Sequence, residues 1–411
     1  MRSSPGRWVQ GDDFFGREAE LALLAERVRD GNHVLLTGQR RMGKTSLARE
    51  LGRRLELDGW LFFFVDVEEA VHPQDVVALI AQRVHSVRTL ANRFASTMAR
   101  LAANVEEISA YEFRLKVRAN LDDGNWRRHG QELFESCANE PKPVLIVLDE
   151  LPIFLLSLLR RERGRERVDE FLTWLRAVQQ NVAGRGLTFI ASGSIGLIPL
   201  ATRLGLPDRI NHLHTFRLQP WNRDTSAGCL ARLSASHGLD VDSGVADAVV
   251  EKLGIGIPHH VQSFFAHLRE DAMIKGRAEI RLEAVDRVYR DSLLAPWGQI
   301  DLMHYDTRLR DAFDERGHRI ALEILTEAAT QGILTATARD RFEAHLAALG
   351  DETPGRITTV LDVLVHDGYL VPHDDGHVFQ SRLLCDWWIA RFGRGHEPFK
   401  ERAAAIAGIE R

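Results

Sequence analysis

The stretch 37–46, with the sequence TGQRRMGKTS, restricts the possible folds of this chain more than any other segment. It fits the pattern G-x-x-x-x-G-K-[ST]; the apolar run 33–36 before it predicts a strand, and 46–51 predicts the start of a helix. Gly38 and Gly43 let the backbone turn so that successive N–H groups point at one anion, which the N-terminal end of the next helix also favours. The sequence therefore predicts a phosphate-binding loop between a buried strand and a helix.

The residues inside this loop have distinct chemical tasks. Lys44 would reach the β- and γ-phosphates of a nucleotide, and the Thr45 hydroxyl would coordinate Mg²⁺. The residues of the loop predicted to contact the nucleotide are Gly38, Arg41, Gly43, Lys44, Thr45 and Ser46.

A second chemical signal lies at 144–150, where an apolar run is followed by Asp149 and Glu150. The run predicts a central strand of a parallel sheet, and ligands of open α/β sheets bind at the carboxyl ends of such strands. Asp149 can hold Mg²⁺ while Glu150 stays free as the base that polarises the attacking water. An apolar strand ending in Asp-Glu is common by itself. Here the pair follows the predicted phosphate-binding loop, which makes it evidence for a catalytic site. The pair favours hydrolysis over transfer of phosphate to a nucleoside monophosphate.

Length and composition set the outer limits. With 411 residues the chain predicts about two to four structural units. A hydrophobic fraction of 45% is typical of a soluble globular protein, and a net charge of −5 does not require a polyanionic partner. The distant cysteines Cys137, Cys229 and Cys385 argue against a zinc site or disulfide framework and fit a reducing compartment. The first residues lack a secretory signal and charges interrupt the longest apolar run, so we expect a cytoplasmic protein without membrane spans.

Upstream of the loop, residues 15–18 form a box that resembles the F-x-G-R-E-x-E-L motif of STAND-type and origin-recognition-type AAA+ ATPases. In these families the box precedes Walker A and packs beside the adenine. The resemblance therefore implies that Phe15 and Arg17 are neighbours of the nucleotide. An ion pair between Arg17 and Glu18 at a solvated helix start is the alternative.

The segment 187–194 predicts a strand that ends in small hydroxyl residues. Its end resembles the G-S-S sensor pattern of these ATPases, with Gly193 and Ser194 matching and Ile195 departing. The resemblance implies that Ser194, or in second place Ser192, faces the γ-phosphate. An ordinary strand-to-turn segment is the alternative.

Two later segments also resemble motifs of these ATPases. Arg209 precedes the last core strand, where its guanidinium could stabilise charge on the leaving phosphates, in cis or across a subunit boundary, or could cap a neighbouring helix. The segment 254–262 resembles the G-x-P motif, which implies that Pro258 begins a helix over the adenine. His259 and His260 could sense phosphate, although adjacent histidines without carboxylate or cysteine partners are more typical of a surface than of a metal site.

The C-terminal half predicts mostly helices. Amphipathic segments from 223 to 294 predict a small helical lid, and from 301 to 392 three helices and a hairpin around 374–376 match the winged-helix plan. The third of these helices offers one arginine, Arg356, and the hairpin turn is acidic. Acidic wings repel phosphate, so protein contacts are favoured over DNA reading.

Some segments are predicted without a functional assignment. The pattern predicts a helix over 73–104, and the alternation of apolar and polar residues over 111–118 predicts a half-exposed strand. Within the C-terminal half, helices are expected over 335–349 and 353–366, and a short helix is expected after Lys400.

Together these features predict an α/β protein: a P-loop NTPase core with a parallel sheet at 1–221, a helical lid at 222–296, and a winged-helix domain with a tail at 297–411. The resemblance implies a slow, Mg²⁺-dependent ATPase of the STAND or AAA+ type, in which ATP or ADP controls the position of the winged helix. The expected partners are the nucleotide and either another protein or a second copy of the chain. A DNA-binding origin-recognition or transposition ATPase is the alternative, and no membrane contact is expected.

Overall fold

The computed structural model describes residues 1–2, 5–97, 108–295, 300–348 and 355–402. The chain divides into two compact units. The sheet unit contains 17–37 and 44–218, and the C-terminal unit contains 1–16, 38–43 and the chain from Gln219 onward. Most of the predicted phosphate loop is thus grouped with the C-terminal unit, although the strand before it and the helix after it belong to the sheet unit. The expected division into three domains stays a prediction.

The elements of the sheet unit alternate between strands and helices. The strands are β1 (Val34–Thr37), β2 (Leu61–Asp66), β3 (Val144–Asp149), β4 (Leu187–Ser192) and β5 (His214–Arg217). The helices are α1 (Glu18–Arg29), α2 (Lys44–Leu57), α3 (Pro73–Val84), α4 (Arg88–Thr97), α5 (Ala110–Asn120), α6 (Trp126–Ala138), α7 (Leu151–Leu159), α8 (Gly164–Val182) and α9 (Leu197–Arg203).

The five strands form one parallel sheet in the order β2-β3-β4-β1-β5. Strands β3 and β4 are buried along their whole length, as expected for a parallel sheet covered on both faces. The register places Leu36 of β1 beside Ser192 of β4, and Asp66 of β2 beside Asp149 of β3. The carboxyl ends of these strands therefore open at one edge of the sheet. The predicted α/β class with a parallel sheet is confirmed.

Aromatic side chains hold the covering helices against the sheet. The ring of Trp174 on α8 lies 4.8 Å from that of Trp126 and 5.6 Å from that of Phe171, and the ring of Phe134 lies 5.1 Å from that of Phe189 on β4. Burial of each large apolar side chain contributes about 1.5 to 3 kcal/mol, so this cluster holds β4 firmly in the core.

The segment 111–118, expected to be a strand, belongs to helix α5. The hydroxyl of Ser109 accepts a hydrogen bond from the backbone of Glu112, whose carboxylate accepts one from the backbone of Ser109, and this capping box starts the helix. The buried residues of α5 are Phe113 and Val117, which are four residues apart and share one helix face. The other apolar residues of the alternating pattern are exposed, so the period of two was accidental.

The C-terminal unit is mainly helical. Its helices are α10 (Arg223–Ser236), α11 (Val245–Leu253), α12 (Pro258–Ile274), α13 (Leu282–Val288), α14 (Ile300–Ala312), α15 (Glu315–Gln331), α16 (Ala336–Ala348), α17 (Arg356–His366) and α18 (Arg382–Phe392). Its strands are β6 (Asp240–Val241), β7 (Glu279–Ile280), β8 (Leu334–Thr335), β9 (Leu370–His373) and β10 (Gly376–Phe379).

Strands β8, β10 and β9 form an antiparallel sheet, and the expected hairpin is the β9–β10 pair. The assignment of α15 to β10 as a winged helix stays a prediction. The helix expected over 73–104 is two helices, α3 and α4. Parts of several expected helices, at 98–104, 349, 353–354 and 403–411, lie outside the described residues. Within the described ranges, no helix is long and apolar enough to cross a membrane.

Candidate functional site

The loop between β1 and α2 has the backbone of an anion-binding turn. Gly38 and Gly43 have φ angles of 141° and 88°, which side chains larger than hydrogen rarely permit. Arg41 has a φ of 65° and Glu150 one of 58°; they are two of the three non-glycine residues with positive φ in the described part of the chain. Such backbone conformations cost about 1 to 3 kcal/mol each and concentrate at functional sites.

Helix α2 begins with the predicted phosphate-binding residues. Lys44 is its first residue, and Lys44 and Ser46 are both buried. A helix of this length presents partial positive charge at its first turn, where the backbone N–H groups have no partner within the helix, and the Lys44 ammonium adds a full charge. This end of α2 can therefore bind the phosphates of a nucleotide.

Asp149 lies where its carboxylate meets two hydroxyl groups. Thr45 Oγ1 donates a hydrogen bond to Asp149 Oδ2 at 2.9 Å, and Ser192 Oγ donates one to Asp149 Oδ1. The backbone N–H of Glu150 also donates to Oδ1, at 3.2 Å. Asp149 is 5% exposed, so these donors replace the water that its charge would otherwise hold.

The donor set around Asp149 fits Mg²⁺. A carboxylate and a threonine hydroxyl are hard oxygen ligands, and Mg²⁺ commonly binds one or two such groups and completes its shell with water and phosphate oxygens. In the described part of the chain there is no group of three or more His, Cys, Asp and Glu residues that could hold a metal by itself. Thr45 and Asp149 are the residues that would hold a magnesium ion.

Glu150 is held by the residue predicted to be the sensor. Its oxygen Oε2 accepts hydrogen bonds from both the backbone N–H and the hydroxyl of Ser194, each at 2.9 Å. Burial raises the pKa of Glu150, the neighbouring charge of Asp149 acts in the same direction, and the bonds from Ser194 and the charge of Lys44 oppose them. A carboxylate with a raised pKa is a stronger proton acceptor, which suits a general base.

Arg49 is a further member of this edge that sequence reasoning missed. Its guanidinium lies 3.8 Å from the ring centroid of Phe64 on β2. Burial lowers the pKa of Arg49, and the charges of Asp149 and Asp66 oppose that shift. The available signal was spacing, because Arg49 follows Thr45 by four residues and so shares its face of α2.

The predicted adenine neighbours have local partners of their own. Phe15 packs edge-on against Trp221 at 5.9 Å and lies under the guanidinium of Arg232 at 5.6 Å, within the C-terminal unit. Arg17 is 4% exposed and pairs with Glu20 at 2.7 Å, within the sheet unit. The alternative pairing of Arg17 with Glu18 is therefore wrong, because Glu20 lies three residues ahead on the same helix face.

Arg209 and Pro258 lie in regular elements. Arg209 ends a short 3-10 helix, and its Nε donates to Asp169 Oδ1 of α8 at 2.7 Å. Because this pair is more than a third exposed on the arginine side, it contributes little stability and can be broken by a stronger anionic partner. Pro258 is buried at the first position of α12, where a missing N–H costs nothing.

The expectation that His259 and His260 lie on the surface is wrong. They are 8% and 2% exposed. Within the C-terminal unit, Nη1 of Arg41 lies 3.0 Å from Nδ1 of His259, and the backbone N–H of Gly6 donates to the same nitrogen at 3.1 Å. The side chain of Arg41, predicted to contact nucleotide, is thus turned toward α12.

Similarity to known proteins extends over much of the chain. Residues 13–183 match the family described as AAA ATPase domain. The fold resembles a Walker-type ATPase of Pyrococcus abyssi at 20% identity, over 94% of this chain and 99% of that one, with a TM-score of 0.61. It also resembles the ORC2 protein of Aeropyrum pernix, solved in ADPNP–ADP complexes, at 15% identity over 99% and 98% of the two chains, with a TM-score of 0.57. No curated protein matches the sequence.

The sequence match covers the helix before the loop, the loop itself, and the strand that ends at Asp149 and Glu150. The two structural likenesses extend over nearly the whole chain. Residues 13–183 are therefore similar to the AAA ATPase domain family, and the chain shares its fold with the Walker-type ATPase of Pyrococcus abyssi and the ORC2 protein of Aeropyrum pernix.

Proposed function

We propose that the chain is a slow, Mg²⁺-dependent ATPase of the STAND or AAA+ type, and that its nucleotide state controls the helices and hairpin of the C-terminal unit. The observation that carries the catalytic part is the grouping of Lys44, Thr45, Asp149 and Glu150 at one edge of the sheet. The adenine nucleotides in the Aeropyrum pernix ORC2 complexes and the ATPase from Pyrococcus abyssi support ATP as the substrate.

Each residue of the site has a definite task in this proposal. The loop amides and Lys44 bind the phosphates, and Thr45 and Asp149 hold the magnesium ion, which supplies neutralising charge on the phosphate oxygens when bound. Glu150 takes a proton from the attacking water. Phe15, Arg17 and Pro258 are the proposed neighbours of adenine, and Arg209 is the proposed arginine that stabilises the leaving phosphates, in cis or in trans.

The proposal of a nucleotide-controlled switch is supported by contacts between the phosphate loop and elements of the C-terminal unit. Arg41 contacts His259 on α12. A Cβ placed on Gly368, just before β9, would lie 2.9 Å from Gln39 Cβ, so the loop backbone and this turn approach closely. A nucleotide that binds the loop amides in only one loop conformation stabilises the contacts made in that conformation. By linkage, these contacts change the free energy of nucleotide binding by the same amount.

A protein partner, or a second copy of the chain, is the proposed target of the C-terminal unit. The hairpin turn between β9 and β10 contains the exposed residues Asp374 and Asp375, and Arg356 on α17 is engaged with Asp314 at 3.3 Å. Both features oppose close approach of DNA phosphates. The fold likeness to ORC2 nevertheless makes a DNA-binding ATPase the second candidate.

Phosphate release in the presence of Mg²⁺ and ATP tests the catalytic part. Glu150→Gln should keep nucleotide binding and lower turnover by about 100- to 10,000-fold, the usual contribution of a general base. Glu162→Gln, at an exposed position in the turn after α7, is the matched control and should hydrolyse ATP normally. Undiminished hydrolysis by Glu150→Gln would remove the assignment of the base.

Native mass measurement of the Glu150→Gln protein separates the possible outputs. The protein is weighed with and without ATP, and with and without duplex DNA. A nucleotide-dependent self-assembly supports the switch with a second copy as its partner. Binding to duplex that falls steeply with salt would instead support the DNA-binding candidate.

A further inference from the structure

We infer that Ser194 is a positioning residue for the carboxylate of Glu150 and not a sensor that contacts the γ-phosphate. The inference rests on the proposed function, because it assigns a task within ATP hydrolysis. Two donors of Ser194, the backbone N–H and the hydroxyl, converge on one oxygen of Glu150 at 2.9 Å each. Both bonds fall on Oε2, so Oε1 stays the oxygen that can take the proton from water.

The Ser194 hydroxyl can donate too few hydrogen bonds to orient Glu150 and contact a phosphate oxygen together. A serine hydroxyl carries one proton and donates one hydrogen bond. In Ser194 that proton is used on Glu150, so the same hydroxyl cannot donate to a phosphate oxygen at the same time. The backbone N–H of Ser194 is used on the same carboxylate.

The backbone at Glu150 and the backbone at Gly193 both help to hold Ser194 close to Glu150. Glu150 has left-handed φ and ψ angles, and its carbonyl oxygen accepts the first hydrogen bond of α7, from Ile153 at 3.0 Å. A Cβ placed on Gly193 would lie 2.5 Å from Cδ of Pro152, so only glycine lets the end of β4 approach the start of α7 this closely. The two turns therefore bring Ser194 and Glu150 together through their backbones.

Ser192, the last residue of β4, and Ser194, two residues further on, donate to different carboxylates. Ser192 donates to Asp149, the proposed magnesium ligand, and Ser194 donates to Glu150, the proposed base. The spacing of two lets one strand end support both adjacent carboxylates.

Steady-state kinetics give the first test. Ser194→Ala should lower kcat by about 10- to 100-fold, the usual cost of losing a hydrogen bond to a charged group, and should leave the KM for ATP unchanged. Ser194→Thr keeps a hydroxyl at the same place and should restore most of kcat. An unchanged melting temperature for both variants shows that folding is intact. A KM that rises with kcat unchanged would overturn the inference.

Binding in a hydrolysis-deficient background gives the second test. ATP and ADP dissociation constants are measured for Glu150→Gln and for the double variant Glu150→Gln/Ser194→Ala. A positioning residue predicts equal constants for both proteins. A sensor predicts that the double variant loses affinity for ATP but not for ADP, and that result would refute the inference. Failure of the proposed function is separate, because it would appear as full hydrolysis by Glu150→Gln alone.

Discussion

The hydroxyl of Ser192 is predicted to determine how well the protein uses magnesium. Ser192 is 1% exposed, and its bond to Asp149 Oδ1 is one of two at that oxygen, the other being the weaker one from the backbone of Glu150 at 3.2 Å. Ser192→Ala removes the shorter bond without changing the shape of the strand. A charge-assisted hydrogen bond of this kind contributes about 1.5 to 3 kcal/mol.

That loss has two consequences that can be measured separately. The Asp149 carboxylate becomes less firmly oriented, and removal of such a supporting group typically weakens metal use by about 10- to 100-fold. The Mg²⁺ concentration that gives half-maximal ATPase activity should therefore rise by that factor, with kcat largely recovered at saturating Mg²⁺. The free energy of unfolding without ligands should fall by about 1 to 3 kcal/mol, because a buried carboxylate loses a donor.

The assay is a magnesium titration of phosphate release at fixed, saturating ATP. Ser234→Ala is the matched control, since Ser234 is 4% exposed but its hydroxyl donates to the backbone carbonyl of Leu230 in the C-terminal unit. It should show the ordinary magnesium requirement. If Ser192→Ala keeps the ordinary requirement while its unfolding free energy falls, the link between Ser192 and the metal ligand is refuted.

Three further predictions follow from the same contacts. Lys44→Ala should reduce nucleotide affinity by at least about 100-fold, because it removes a buried full charge at the phosphate-binding helix end; isothermal titration with ATP measures it, and normal binding would contradict the site. Arg41→Ala and His259→Ala should each change ATP affinity by less than about 10-fold, and a double-mutant cycle should show coupling of about 0.5 kcal/mol or more; strict additivity would contradict the switch. Burial lowers the pKa of His212 from its ordinary value of 6.5 to about 4. Between pH 6.5 and 4 the unfolded chain therefore binds more protons than the folded chain, and the free energy of unfolding falls as the pH is lowered through this range. Urea unfolding at pH 7 and pH 5 measures this fall in the free energy of unfolding. His212→Gln should make the fall smaller by roughly 1 kcal/mol, which is about half of what the full pKa shift would give, because the ring is only partly buried.

The errors in sequence reasoning have identifiable physical causes. The alternation over 111–118 resembled a strand, yet the capping box at Ser109 and Glu112 and the four-residue spacing of the buried side chains specify a helix. His259 was expected at the surface because its immediate neighbours include no carboxylate or cysteine. Its partner is Arg41, which is 218 residues away in the chain and cannot be found from local sequence.

The sequence by itself determined which residues form the proposed site. A strand, a glycine-bearing loop and a helix start lie within a short continuous stretch, so the backbone geometry at Lys44, the proposed phosphate-binding residue, depends on local backbone preferences. The apolar run before Asp149 and Glu150 likewise specifies a buried parallel strand with its carboxylates at the ligand edge.

The tertiary structure alone decided which group supports which carboxylate. The order β2-β3-β4-β1-β5 places β4 between β3 and β1, although the chain visits β1 first and β4 fourth. That order brings Thr45 and Ser192 to Asp149, and the turn after β4 brings Ser194 to Glu150. These contacts depend on strand neighbours and backbone approach over long sequence separations, which periodicity and motif spacing do not specify.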